Sequence, residues 1–368
     1  MASTNSTKKS KGGLLAGIIL IIIGSIVLIG NEKNTVKNIK TVDELRKKVV
    51  DVKDAKILNE NDGKLVAVSG KIDYLDATLS DPIFNVSIKS PKLVRTVEMY
   101  QYVEEKENNG DTDKYVYKTK WSSDLIDSDE FNDTSYSNPK TMDYESETYV
   151  APTIKLGEYN LSDSQKKLIS SNKVLSISNM EGIYLKSDYN IINNYITNSK
   201  DYNNPKIGEI RIKYTYSDTS SISVLAMQDG DSFTSFTSKV GKTINKVYSG
   251  KLTSTQMIDK IAHSNNTKKW LFRGLGVFIV IIGYISLFNF ITNLLEYIPI
   301  LGNIASGLIK LVAGLIGFIH ALIIIIVAWF RYRPVLSLVL IAITVAIVLF
   351  IKFKTNKSKI VEEKVDNN

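Results

Sequence analysis

Four long runs of Ile, Leu, Val, Gly and Phe constrain this chain more than any other feature, because each is about as long as a bilayer is thick. Residues 13–30 are apolar throughout, and about 18 residues rising ~1.5 Å each just cross a hydrocarbon core. Lys8, Lys9 and Lys11 precede this run. A cleaved signal peptide begins in the same way, but the run is long for its apolar region and lacks a clear small-x-small cleavage site. It reads as an uncleaved anchor, with the cleaved signal as the alternative. Residues 271–295 form the second span, introduced by Lys268, Lys269 and Trp270, the pairing of tryptophan with cations found at lipid headgroups. Glu296, Tyr297 and Pro299 read as a turn. Residues 300–330 exceed one span, so their beginning is expected at the interface and the crossing itself from about Lys310. Trp329, Arg331, Tyr332 and Arg333 close it, and Pro334 opens a fourth span over residues 335–351, followed by a charged tail over 352–368.

Four crossings put the basic tail 1–12 and the charged tail on one side and residues 31–270 on the other. Cations flank both ends of the spans in similar number, so their count barely discriminates between the sides. The lysines before the first span favour a cytoplasmic N-terminus and an extracytoplasmic or lumenal 31–270. Sequons at Asn85, Asn132, Asn160 and Asn265 are acceptors only in a eukaryotic lumen, and an Asn- and Ser-rich chain produces them by chance.

The formal charge of +8 invites a nucleic-acid reading. The excess sits largely in the tails and beside the apolar runs, where it meets headgroups, and no zinc-finger spacing, basic recognition helix or RNA-binding aromatic signature occurs. No nucleic-acid partner is expected. The chain has no cysteine, which excludes disulfides and thiolate chemistry, and only two histidines, His263 and His320. No cofactor and no metal site is expected. Asp124, Asp127, Asp129, Glu130 and Asp133 lack the calcium-loop pattern and read as a solvated loop. Isolated Gly63, Gly70, Gly110 and Gly157 compose no phosphate loop, and no nucleophile elbow occurs.

Residues 31–270 read as a mostly β domain with peripheral helices. Thr41 to Val50 has helical spacing. Lys64 to Gly70 reads as a strand, and Leu93 to Glu104 with Tyr115 to Trp121 as a hairpin around the turn cluster Asn108, Asn109, Gly110 and Asp111. Glu209 to Tyr216 alternates, with Ile210, Ile212, Tyr214 and Tyr216 on one face. Ser221 to Met227 and Ser232 to Thr237 continue the pattern. Ser162 caps a helix over Asp163 to Ser171, and Thr253 or Ser254 caps another that runs on towards the second span. The expected fold is a four-span α-helical bundle plus a mostly β domain of one or two barrels or curled sheets, with a few peripheral helices.

Several blocks resemble the transmembrane protein 43 (LUMA) family: Leu79-Ser80-Asp81-Pro82, the stretch Lys92 to Glu104, Trp121-Ser122-Ser123, Asn138-Pro139, Ala151-Pro152, Gly208-Glu209-Ile210-Arg211 and Tyr332-Arg333-Pro334. The layout, one span, a large insertion, then clustered spans, is similar too. The resemblance implies a membrane organiser that self-associates. In an animal it implies residence in the endoplasmic reticulum and inner nuclear membrane, with emerin and lamins as partners. A bacterial chain has no lamina, and the plasma membrane is then the expected site. The family supplies no catalytic residues to transfer. A fainter similarity of Lys64 to Gly70 and Arg95 to Glu104 to the membrane-adjacent β domain of a mitochondrial ubiquitin-ligase family points towards the OB-like barrel; without RING cysteines, ligase activity does not follow.

Lys310 and His320 are the intramembrane polar candidates. They lie ten residues apart, about 1000° around a helix and so roughly 80° off a common face, which suits snorkelling and a packing hydrogen bond better than a conduction stripe. Gly13 and Gly17, Gly276 and Gly283, and Ala313 and Gly317 are the helix-packing candidates, serving either oligomer contacts or packing within one chain. The tyrosines suit a peptide or glycan face, or simply half-buried strands. The chain reads as a non-enzymatic membrane scaffold that contacts the bilayer, other membrane proteins and its own copies. A channel or transporter subunit is the first alternative and a membrane-surface enzyme the second.

Overall fold

The computed structural model describes residues 3–109, 112–295 and 302–332, together with Val335, Leu338, Val339 and Ala342. They divide into two compact units: a helical one formed by residues up to Glu44 and from Asp259 onward, and a β unit spanning Leu45–Ile258.

Among the described residues, three helices of the helical unit are long and apolar enough to cross a membrane: α1 (Ser3–Lys48), α3 (Ser254–Leu295) and α4 (Gly302–Tyr332), with the short α2 (Asp163–Leu168) in the β unit. Only about a fifth of each apolar stretch is buried (22, 17 and 22 %). Side chains such as Leu15, Ile26, Leu271, Phe278, Leu311 and Val327 are exposed. A surface this apolar is stable only with lipid as its solvent. The fourth predicted span, 335–351, lies outside the described residues apart from the four named, as do the predicted turn at Glu296 to Pro299 and the tail 352–368.

One helix extends beyond the sequence reading, and another starts at the cap that reading placed there. The helix predicted over Thr41 to Val50 is the end of α1, which continues unbroken from the first span because residues 31–40 contain neither Gly nor Pro to stop it. At the other end α3 begins at Ser254, where Thr253 accepts from Gln256 N at 3.2 Å and donates its own N–H to Gln256 Oε1 at 2.9 Å, a reciprocal cap. The predicted soluble segment 31–270 therefore contributes helix at both margins, and the compact β unit is shorter.

In that unit, Leu65–Asp73 pairs antiparallel with Ser221–Asp229, from Leu65 opposite Met227 to Lys71 opposite Ser221. Ser221–Asp229 also pairs with Ser232–Thr234 and Lys246–Ser249, and Leu65–Asp73 with Lys155–Leu156 and, in parallel, Val50–Val52. Lys155–Leu156 turns through Gly157 (φ +59°) into Tyr159–Asn160, and a Cβ on Gly157 would fall 2.5 Å from that of Ala55. Asn160 N then donates to Asp231 O and Ser232 Oγ to Asn160 O, both at 2.8 Å, so the path of strands nearly closes on itself. Inside this barrel-like sheet Tyr159 stacks on Phe233 at 4.6 Å.

The second sheet is built on Lys92–Asn109, the long strand expected from the hairpin pattern. It pairs with Thr112–Ser122 from Met99 opposite Ser122 to Asn109 opposite Thr112, with Ile210–Tyr216, and with Glu147–Val150. The predicted turn residues Gly110 and Asp111 lie outside the described residues. Ile210, Ile212 and Tyr214 are buried as the alternation required. One core joins the two sheets: Val66, Val68 and Val224 from the first meet Leu93, Val97, Met99 and Ile212 from the second. The expected barrel is therefore one nearly closed sheet backed by a second, open one.

Candidate functional site

The helical unit and the β unit each hold an arginine fixed by a buried carboxylate. In the helical unit the apolar run of α1 ends at Gly30, that of α3 starts at Leu271, and that of α4 ends at Phe330, so all three meet one boundary. There Glu32 is 1 % exposed and accepts from Arg273 Nε at 2.5 Å and from Trp329 Nε1 at 3.0 Å, one residue from each of the other two helices. The Arg273 guanidinium lies over the rings of Trp270 (4.9 Å) and Trp329 (5.7 Å), and Asn31 Nδ2 donates to Lys269 O at 3.1 Å. A desolvated carboxylate is stable only when paired and hydrogen-bonded, and here both oxygens are engaged. Among the described residues, this clamp ties the ends of three spans together.

Below it the helices touch through glycine. A Cβ on Gly17 would lie 2.7 Å from Leu287 N and 2.8 Å from Gly283 O; one on Gly283 would lie 2.9 Å from Ile21 N. Gly24 and Gly276 repeat the arrangement one heptad away: a Cβ on Gly24 would meet Val280 Cγ2 at 2.7 Å and Gly276 O at 3.1 Å. Such approach is what small residues provide in membranes. A Cβ on Gly317 would lie 2.9 Å from Ile281 Cα and 3.3 Å from the Tyr284 side chain, and Ala313 is fully buried. Gly17, Gly276, Gly283 and Gly317 thus face neighbouring helices of the same chain; Gly13 lies in α1. Gly24 was not singled out from the sequence, although its seven-residue spacing from Gly17 mirrors that of Gly276 and Gly283.

His320 Nδ1 is 3.0 Å from Tyr284 Oη with the rings edge to face, which joins α4 to α3. Lys310 is exposed. The structure does not bring the two together.

In the β unit the residues that carry the family resemblance converge. Asp81 and Arg95 are buried, and Arg95 Nη1 donates to Asp81 Oδ2 at 2.6 Å. Tyr214 Oη donates to the same oxygen at 2.6 Å and Ile83 N to Oδ1 at 2.9 Å, while Arg95 also reaches Tyr149 Oη and Glu145 O. Burial works to raise the Asp81 pKa, but the hydrogen bonds from Tyr214, Arg95 and Ile83 and the Arg95 charge outweigh it and hold the carboxyl below its ordinary value. Burial, then Asp81, pushes the Tyr214 hydroxyl far up. The sequence shows Asp81-Pro82 only within a block of family resemblance and gives no sign of this cluster, because Tyr214 is 133 residues away.

On the opposite face of the same strand, Glu98 accepts from Arg211 Nε at 2.8 Å, and the Arg211 guanidinium lies over Trp121 (4.5 Å) and Tyr195 (5.1 Å). The Asn138 amide pairs with the Tyr102 backbone, accepting from its N–H at 2.7 Å and donating to its carbonyl at 3.0 Å, in the manner of an added strand. Tyr117 stacks on Tyr136 at 4.0 Å, and its hydroxyl donates to Glu104 at 2.5 Å. These motif residues bind strands and loops to one another.

A bundle of lipid-facing helices with a large β unit inserted between the first and second spans defines a multi-pass membrane protein with a membrane-tethered β domain. The profile of the family described as Transmembrane protein 43 matches residues 99–334, and the chain belongs to that family. It is 24 % identical to Transmembrane protein 43 of Homo sapiens over 96 % of this chain and 92 % of that one. It is 26 % identical to the Rattus norvegicus protein over 89 % and 86 %, and 28 % identical to the Drosophila melanogaster homolog over 92 % and 93 %. No solved structure matches.

Proposed function

We propose that the chain is a membrane scaffold that displays its β domain as an interaction surface and associates with its own copies. The observation that carries this reading is the double attachment: α1 runs unbroken out of the first span to Lys48, and α3 runs unbroken from Ser254 into the second. A domain whose two ends each continue into a membrane span suits presentation of a surface beside a membrane. Partly exposed aromatics at Trp121, Tyr195 and Tyr202, gathered around Arg211, give that domain a face of the composition that binding surfaces favour.

The reading includes a fourth crossing at 335–351, which returns the C-terminus to the side of the N-terminus. Glu32 and Trp329 support it, since their contact places the end of α4 beside the end of the first span, from which a further apolar run leads away. In an animal cell the resemblance points to the endoplasmic reticulum and inner nuclear membrane with emerin and lamins; in a bacterium, to the plasma membrane. The engaged His320 and the separate, exposed Lys310 favour packing over an ion path. Proximity labelling from a tag on the β domain, combined with mass measurement of the detergent-extracted complex, tests the proposal. Recurrent membrane-protein neighbours and a mass above one chain are expected. A strict monomer with no reproducible neighbours contradicts it.

A further inference from the structure

The clamp that fixes Arg273 leaves most of its hydrogen-bonding capacity unused. A guanidinium has five N–H donors. Glu32 takes the one on Nε, and the two rings take the face. No hydrogen bond among the described residues uses the Nη donors. The side chain is 11 % exposed and is pinned by Glu32 and the two rings at the level where the three apolar runs stop. Trp270 beside it is 59 % exposed. Lys33, Lys268 and Arg331 flank the same level, are exposed and make no ion pair among the described residues, while Glu32 cancels only Arg273. The level therefore carries a net positive charge around a planar fork oriented in advance.

We propose that Arg273 binds the phosphate of an anionic phospholipid, with Trp270 packed against the glycerol region and Lys33, Lys268 and Arg331 supplying the preference for a charged headgroup. The geometry of guanidinium and phosphate is matched for two parallel hydrogen bonds, which an ammonium cannot reproduce. Tryptophan at headgroup depth is the usual neighbour of such a contact. Glu32 acts as the positioning residue, fixing the guanidinium plane without touching the lipid.

The full chain, purified in mild detergent and returned to nanodiscs of phosphatidylcholine containing a minor fraction of phosphatidylglycerol, is the test. Lipid that stays bound after re-extraction is counted by native mass spectrometry. The expected result is enrichment of phosphatidylglycerol over its bulk fraction. In Arg273→Lys, which keeps the charge opposite Glu32, that enrichment should fall about tenfold, the loss of one charge-assisted hydrogen bond. Lys268→Ala combined with Arg331→Ala, which leaves the clamp intact, should lower it severalfold even if Arg273→Lys does not fold. Addition of inorganic phosphate should leave it unchanged. Equal retention of both lipids, enrichment that survives both variants, or displacement by inorganic phosphate would overturn the proposal.

Discussion

Asp81–Arg95 and Glu32–Arg273 are the same chemical pair in two solvents. In the β domain, Arg95 is 4 % exposed at its side chain and is enclosed by Phe84, Tyr149 and Tyr214, so the pair is part of a core assembled in water. In the helical bundle, Arg273 sits at the edge of the apolar runs, and the interior beneath it is held by glycines that admit a neighbour's backbone. The difference follows from what drives each unit together. Burial of Val66, Val97 and Ile212 removes apolar surface from water and organises the β core. Helices already in lipid gain nothing comparable, so close packing and a few polar contacts decide which helices pair.

Removing each carboxylate should expose this contrast. Asp81→Ala leaves Arg95 charged and buried, and a broken buried pair costs roughly 3–5 kcal/mol, read as a loss of β-domain stability in denaturant titration of the full chain. Glu32→Gln should cost less, about 1.5–3 kcal/mol, because Arg273 can turn to headgroups or water; helical thermal unfolding in detergent checks it. If the two losses proved equal, the boundary position of Arg273 would be wrong. Gly17→Ala forces a Cβ onto the Leu287 and Gly283 backbones, and overpacking of this kind costs about 1–3 kcal/mol in the same helical readout, with the β domain unaffected. Tyr284→Phe deletes the bond to His320, and interhelical hydrogen bonds in membranes are worth about 0.6 kcal/mol on average, so only a small shift in the helical transition is expected.

The last difference appears only in acid. Because the folded Asp81 carboxyl titrates below its unfolded value of about 3.9, its contribution is complete above that pH and is lost as the pH falls through the lower, folded value. The β domain should therefore lose stability below about pH 4, and Asp81→Asn should lose less over the same interval. Unfolding midpoints recorded between neutral and acid pH measure this, and parallel curves for the two proteins would remove Asp81 from the acid response.

The parts of this fold legible in the sequence are those set by local periodicity. Apolar length located α1, α3 and α4, and alternation placed Ile210, Ile212 and Tyr214 on the buried face. The two strands expected as a hairpin pair antiparallel, from Met99 opposite Ser122 to Asn109 opposite Thr112. What stayed hidden depends on partners far apart in the chain. Glu32 reads as one more charge after an apolar run until Arg273, 241 residues later, and Trp329 converge on it. Asp81 likewise reads only as one residue of a resembling block until Arg95 and Tyr214 reach it. The continuation of α1 past Gly30 could have been inferred from the absence of any helix breaker over residues 31–40, a signal the polarity of that stretch obscured.

The absence of cysteine makes the decisive measurement direct. Single cysteines introduced as Ser6→Cys, Ser135→Cys and Asn356→Cys can each be probed with a membrane-impermeant thiol reagent on sealed vesicles of known orientation. The proposed arrangement of four crossings around a tethered β domain requires that positions 6 and 356 react from one side and position 135 from the other. Reaction of position 135 from the side of position 6, or of positions 6 and 356 from opposite sides, would contradict the account.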